Sequence, residues 1–269
     1  MIDAHVHLWR LGRNGCTWPT PEFEPIYRDF TLDDLAPLVR TAAVDEVIII
    51  QSQEDAADTA WLLSIADDPM VAAVVGWTDF LDANALATIG ELASDRRLKG
   101  LRPMVQDRDE HWYDAPELDV VFAAMTERRL VLDALVRPRH LPALLGLAIR
   151  HPDLAIVIDH GAKPACNDLD SWANQMDLLA RQPNVACKLS GLLTELSPGA
   201  PAQDVTPVVD RLWKTFGAER LIWGSDWPVL TLRSGYRGWL DQCRRLIPPV
   251  DHARVFDTNA RRIYGLQVS

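Results

Sequence analysis

Eight short β-rich apolar runs recur along the chain, and helical spacing separates most of them. They read IDAHVHL (2–8), DEVIIIQ (45–51), VAAVVGW (71–77), LKGLRPM (98–104), LVLDALV (130–136), LAIVIDH (154–160), NVACKLS (184–190) and RLIWGSD (220–226). Continuous Val, Ile and Leu strands that alternate with helices belong in a parallel sheet covered on both faces. Eight such units within 269 residues match the count of a (β/α)8 TIM-type barrel, an α/β fold. A doubly wound open sheet is the competing architecture. It carries a Gly-rich turn after its first strand, and none follows Leu8. With no low-complexity tract and no second pattern, one domain spanning residues 1–269 is expected.

The helical segments carry start signals. Thr31 with Asp34 forms a capping box ahead of Leu32, Leu35, Leu38 and Val39. Residues 115–129 open with Pro116 and place Leu118, Val121, Phe122 and Met125 on one face. A third helix is expected from about Val205 to Phe216. The longest stretch without period is 9–30, which holds Trp9, Trp18, Pro19, Pro21, Pro25 and Tyr27. A loop of this length in a compact domain is usually functional. Following the first strand, it should hang over the C-terminal mouth of the barrel, where such enzymes keep their sites.

Composition excludes some partners. A net charge of −11 argues against nucleic acid and anionic membranes, which reward clustered Lys and Arg. Cys16, Cys166, Cys187 and Cys243 show no C-x-x-C spacing, so a zinc ribbon or redox pair is not expected, and so few cysteines suit a reducing cytoplasm. The first residues show neither the basic nor the apolar part of a signal peptide, and no run reaches the length of a membrane span. A cytoplasmic protein is expected.

Chemistry gathers at the strand ends. His5 and His7 are two residues apart in a strand, so both point to one face. Two imidazoles turned into a barrel need partners, and a metal ion such as zinc is one. An isolated H-x-H is more often a pair of satisfied polar residues; the other strand ends weigh against that here. Asp226 ends the eighth run, and closing a barrel would bring it beside the first strand, as a metal ligand or as a general base on water. The plainer role for such an aspartate is a helix cap. In IVIDHGAKP, alternation places His160 on the face of Ile156 and Ile158 and opposes Asp159. Arg102 ends the fourth run, where its planar fork could bind a carbonyl or hydroxyls. Trp77 ends the third run, Asp133 and Arg137 the fifth, Lys188 and Ser190 the seventh. Singly, each is better read as structural; together they decorate one end of the sheet. No G-x-S-x-G elbow, Walker A loop or H-E-x-x-H is present. Ten tryptophans offer apolar platforms that suit sugar rings as well as core packing.

Five motifs in this order, DAHVHLW, GLRP, DHGAKP, KLSGL and RLIWGSDWP, span nearly the whole chain. Together they resemble the amidohydrolase superfamily, in particular its amidohydrolase 2 branch of sugar-acid lactonases and 2-pyrone-4,6-dicarboxylate lactonase. The resemblance implies a (β/α)8 barrel and hydrolysis at a carbonyl centre surrounded by His5, His7, His160 and Asp226. It departs from the wider superfamily in offering Arg102, not lysine, on strand four, and no histidine on strand five. At most one divalent ion, zinc first, is therefore expected, with His5, His7, His160 and Asp226 as ligands, and it could be dispensable. The expected reaction opens a fucono-, rhamnono- or galactaro-type lactone, with Asp226 as base on water. Arg102, Lys163, Trp227, Trp77 and Arg137 are the expected substrate contacts. A decarboxylase of an aromatic or unsaturated acid, an amide or ester hydrolase, and a non-catalytic sugar-acid binder are the alternatives.

Overall fold

The eight apolar runs are eight parallel strands: β1 (Ile2–Val6), β2 (Glu46–Ile50), β3 (Val71–Gly76), β4 (Leu98–Leu101), β5 (Val131–Ala134), β6 (Ile156–Ile158), β7 (Val185–Leu189) and β8 (Leu221–Trp223). In this computed structural model, which describes residues 1–164 and 169–266, they form one sheet in sequence order. Cys166 lies outside the described residues. The helices are α1 (Leu32–Ala42), α2 (Ala56–Ile65), α3 (Ala85–Leu92), α4 (Asp119–Glu127), α5 (Leu141–Arg150), α6 (Leu169–Ala180), α7 (Thr206–Arg220), α8 (Tyr236–Leu246) and α9 (Asn259–Ile263). This is the (β/α)8 barrel expected from the runs.

Two apolar layers explain why the strands read as continuous hydrophobics. Ile2, Ala4, Ile48, Ile50, Val75, Val131, Val157 and Ile222 fill the interior, with Tyr264 just beyond α9 packed on them from the N-terminal end. Their neighbours Val47, Ile49, Val74, Leu132, Ile156, Ile158, Leu189 and Trp223 face the helices. The sequence signals for the helices hold. Asp34 accepts from the Thr31 N–H at 2.9 Å, and Leu118, Val121, Phe122 and Met125 are all buried. Pro116–Leu118 is a short 3-10 turn ahead of α4, and α7 continues to Arg220, beyond the expected Phe216.

The closing seam joins β8 to β1 mainly past the end of β8. Asp226 N–H donates to His5 O at 2.8 Å and His7 N–H to Trp227 O at 2.7 Å. Asp3 adds a side-chain stitch: its carboxylate accepts from Ser225 N–H (2.8 Å), His5 N–H (3.1 Å) and Tyr236 OH (2.7 Å). The two strands pass closely there, since a Cβ on Gly224 would come within 2.6 Å of His5 Cβ. The 9–30 segment arches over this end, tied by Trp9 N–H to Phe30 O (3.1 Å) and Phe30 N–H to Trp9 O (3.0 Å).

Candidate active site

A register shift in β1 aims the histidines. Asp3 pairs with Val47 and Val6 with Ile49, so three residues of β1 span two of β2. Asp3 and Val6 therefore both face outward, and the extra residue lets His5 and then His7 turn in behind Ala4. The two rings meet edge to face with centroids 4.8 Å apart, and their Nε2 atoms are 3.1 Å apart. Asp226 Oδ1 completes a triangle, 3.6 Å from His5 Nε2 and 3.3 Å from His7 Nε2. All three residues are buried.

That triangle fits one divalent cation. Two bonds of about 2.0–2.1 Å at a tetrahedral angle separate their nitrogens by about 3.3 Å, close to what is found. The outer hydrogen bonds leave the right lone pairs free. His7 Nδ1 is 2.9 Å from Ile50 O; a carbonyl only accepts, so Nδ1 carries the proton and Nε2 keeps its lone pair. His5 Nδ1 lies 3.4 Å from Asp159 Oδ1, which can hold the same tautomer, and 3.3 Å from Lys188 Nζ. Burial lowers the pKa of His5 well below its ordinary value, Asp159 opposes this and Lys188 reinforces it, so the imidazole is neutral, the form that could coordinate a metal.

His160 closes the constellation from the other side. Its Nδ1 is 2.9 Å from Ser190 Oγ, and its Nε2 faces Asp226 Oδ1 at 3.9 Å. Burial lowers its pKa to about 4, only partly offset by Asp226 and Asp159. Asp226 shows the converse balance. Burial raises its pKa, but the imidazoles of His160, His7 and His5 packed around it outweigh that and hold it below the usual carboxylate range. Backbone strain concentrates here: His160 has φ 53°, Lys163 φ 51° and Asp226 φ 61°, all non-glycine residues in the left-handed region. Gly191 (φ +60) leaves room for them, since a Cβ there would lie 2.5 Å from His160 Nδ1 and 3.0 Å from Asp226 Oδ2.

One expectation is corrected. Strict alternation placed His160 on the inward face with Ile156 and Ile158, and Asp159 opposite. In the structure Ile156 and Ile158 face the helices and Val157 faces inward, so Asp159 is the inward residue by alternation. β6 ends at Ile158, and the left-handed residues that follow re-aim His160 into the site. Both side chains therefore reach it.

Beneath the histidines lies a buried charge network that strand spacing alone did not assemble. Lys188 Nζ contacts Asp133 Oδ2 and lies 3.1 Å from Asp159 Oδ1, with no exposed surface on any of the three. Tyr264 OH donates to Asp133 Oδ1 at 2.6 Å. Arg102 reaches Asp159 Oδ2 at 3.5 Å and also donates to Gln51 O. Burial pushes the Asp159 pKa up, yet Lys188 and His5 more than reverse this and keep it ionised. A buried lysine needs such carboxylates. A lysine inside the apolar run VACKL was the signal, but its partners come from β5 and from the end of β6.

Above the histidines opens a cavity of about 320 Å³. His7, His160 and Asp226 form its foot, and Arg102, Lys163, Gln106, Ser52, Thr194, Trp18, Met104, Leu135 and Val229 line its walls. Lys163 Nζ donates to Gln106 Oε1 at 2.7 Å. Of the expected substrate contacts, Arg102 and Lys163 thus reach the cavity. Trp77 lines a neighbouring depression with Phe80 and Trp112, because its position past β3 turns it toward Thr78–Leu81. Trp227 is buried, with its ring 5.2 Å from Phe30. The structure does not place Arg137 among the lining residues. Trp18, Ser52 and Gln106 had not been singled out as contacts.

The family model described as Amidohydrolase matches residues 2–266. An L-fucono-1,5-lactonase of Burkholderia ambifaria is 45% identical, over 98% of this chain and 95% of its own. An L-fucono-1,5-lactonase of Burkholderia multivorans is 33% identical, over 87% of this chain and 84% of its own. Among solved structures, an amidohydrolase from Burkholderia multivorans with bound zinc superposes with a TM-score of 0.93 at 31% identity, covering 99% of each chain.

Proposed function

The chain belongs to the amidohydrolase family, and from that premise we propose that it is a lactonase, opening a small sugar-acid lactone to its hydroxy acid. The observation that carries this reading is the convergence of His5, His7, His160 and Asp226 on one point at the foot of the cavity. The relatives named L-fucono-1,5-lactonase make L-fucono-1,5-lactone the first substrate to try.

Each group has a task. The Asp226 carboxylate, ionised at neutral pH, takes a proton from water as the water attacks the lactone carbonyl carbon. When the ring C–O bond breaks, that proton passes to the leaving ring oxygen. His160, with Nδ1 engaged by Ser190, presents Nε2 to the reacting carbonyl, and Arg102 holds a further oxygen of the substrate. A divalent ion held by His5, His7 and Asp226, zinc by choice of donors, would supply Lewis acidity at the carbonyl oxygen. Lys163, Gln106, Ser52 and Thr194 offer hydrogen bonds to hydroxyls, while Met104, Leu135 and Val229 meet the apolar side of the ring. No described helix is long and apolar enough to cross a membrane, and the described cysteines are free thiols, which suits the proposed cytoplasmic setting.

A panel of sugar lactones and hydroxybenzoates, assayed with and without chelator, tests the reading. Acid release from a sugar lactone is expected. Carbon dioxide release from the hydroxybenzoates, or ligand-dependent thermal stabilisation without turnover, would overturn it in favour of a decarboxylase or a binding protein.

A further inference from the structure

Trp18 forms part of the cavity wall, although it comes from the irregular 9–30 segment and not from a strand end. One side chain grips its backbone. Gln53 Oε1 accepts from the N–H of Thr17 at 2.9 Å and of Trp18 at 3.2 Å, and Gln53 Nε2 donates to Trp18 O at 2.7 Å and to Ser52 Oγ at 3.0 Å. Two acceptor positions and two donor hydrogens are the whole capacity of a glutamine amide, so this side chain has one arrangement that satisfies it. It is also buried, at 4% exposure, where a lost partner cannot be replaced freely by water.

The grip is anchored in turn. Asp58 of α2 accepts from Ser52 N–H at 2.9 Å and Gln53 N–H at 3.2 Å. Gly15 brings the loop against the start of α2 so tightly that a Cβ there would lie 2.3 Å from Asp55 Cγ. From the far side, the Trp9 and Phe23 rings meet Trp18 at 5.4 Å and 6.0 Å. A fixed path therefore runs from α2 through Gln53 to an indole in the substrate cavity, and none of its members belongs to the hydrolytic constellation.

We propose that Trp18 is the platform against which the lactone ring packs, and that Gln53 is the positioning residue that sets its place. The identity of the ligand rests on the lactonase reading; the clamp itself does not. A ring held off its platform binds less well but, once bound, still meets Asp226 and the histidines. The pair should thus govern KM and the choice among ring substrates more than turnover.

Three variants test this. Gln53→Met removes all four hydrogen bonds at similar volume, Gln53→Glu keeps an acceptor for the two N–H groups, and Trp18→Ala removes the platform. Hydrogen exchange over residues 15–20 is followed without substrate, and KM and kcat are measured on the best lactone. In Gln53→Met, exchange at Thr17 and Trp18 should quicken, and KM should rise about tenfold with kcat within about twofold. Gln53→Glu sets a carboxyl oxygen where Nε2 donated to Trp18 O, so it should restore protection at both amides only at a pH low enough to protonate it. Trp18→Ala should raise KM similarly, and adding Gln53→Met to it should change KM no further. Unchanged exchange in Gln53→Met, a KM loss that adds in the double variant, or a fall in kcat at constant KM would each overturn the proposal. Should Gln53→Met fail to fold, an unchanged KM in Trp18→Ala overturns it alone. If the wild-type protein opens no lactone, the lactonase reading falls, and the exchange measurement still decides the clamp.

Discussion

Asp226 is held in a left-handed backbone conformation (φ 61°) with its carboxylate among three imidazoles. A non-glycine residue there costs about 1–3 kcal/mol, and the seam bonds that fix residues 226 and 227 offset it. Asp226→Asn keeps the shape and removes the base. Turnover on the best lactone should fall by about 10²–10⁴-fold with the circular dichroism spectrum unchanged; near wild-type turnover would remove Asp226 from the mechanism. His160 makes a different prediction. An unfolded chain protonates this residue near pH 6.5, the folded protein only near 4. Its folded form thus binds fewer protons between these values, so stability is fully present above pH 6.5 and is lost as pH falls toward 4. The loss amounts to about 3 kcal/mol. Asp3, Asp58 and Asp133, whose buried carboxyls are raised to about 6, act in the opposite sense over the same range, so the readout is the difference between wild type and His160→Gln in urea midpoints of chelator-treated protein at pH 8 and pH 5. The wild type should lose more stability, or gain less, than His160→Gln as pH falls; an identical pH dependence in the two would mean the imidazole is charged in the folded protein.

At the scale of elements, the seam between β8 and β1 both closes the barrel and builds the site. Gly224 is what lets the strands approach, so Gly224→Ala forces His5 away from its partners. Overpacking of this kind costs about 1–3 kcal/mol, and the fractional loss of kcat should exceed what that destabilisation leaves unfolded. Full activity in a correctly folded Gly224→Ala enzyme would show that the His5 position is not critical. The same seam explains what the sequence made legible. Closure of an eight-stranded parallel barrel puts the last strand beside the first, so Asp226 could be placed beside His5 and His7 from order alone. Alternation failed where regular geometry ends. The β1 register shift and the left-handed turn at 160–163 re-aim side chains, and only Gly161 announces the turn in the sequence. The Lys188 network stayed hidden because its members are 55 and 29 residues from Lys188 in the chain, and only register across β5, β6 and β7 brings them together. Trp18 was hidden by the irregularity of its loop, though the position of that loop over the barrel mouth was legible.

For the whole molecule, the buried charges and the His5, His7 and Asp226 triangle bring distant parts of the chain together. Lys188 joins β7 to β5 and to the end of β6 inside the barrel. Lys188→Met would leave Asp133 without a cation and Asp159 with Arg102 alone, both at zero exposure, which should destabilise the fold by about 3–5 kcal/mol in urea unfolding. The triangle acts over a longer span. His5 and His7 come from the first strand and its end, Asp226 from beyond the last, so an ion bound by all three would close the barrel like a clasp. Such an ion has no preformed site in the unfolded chain, and its binding adds directly to folding stability. At a free concentration a thousandfold above its Kd the gain is about 4 kcal/mol. For a chain of this size that corresponds to a rise in Tm on the order of 10 °C. Zinc added to chelator-treated protein should therefore raise Tm in a concentration-dependent way. His7→Ala should abolish the rise; its apo Tm falls as well, because Ile50 O loses its donor, so the zinc-dependent shift is read within each variant. A Tm indifferent to zinc, or a rise that survives His7→Ala, would show that these three residues do not hold the ion. The catalytic assignment would then rest on His7 and His160, which line the cavity, meeting the carbonyl directly.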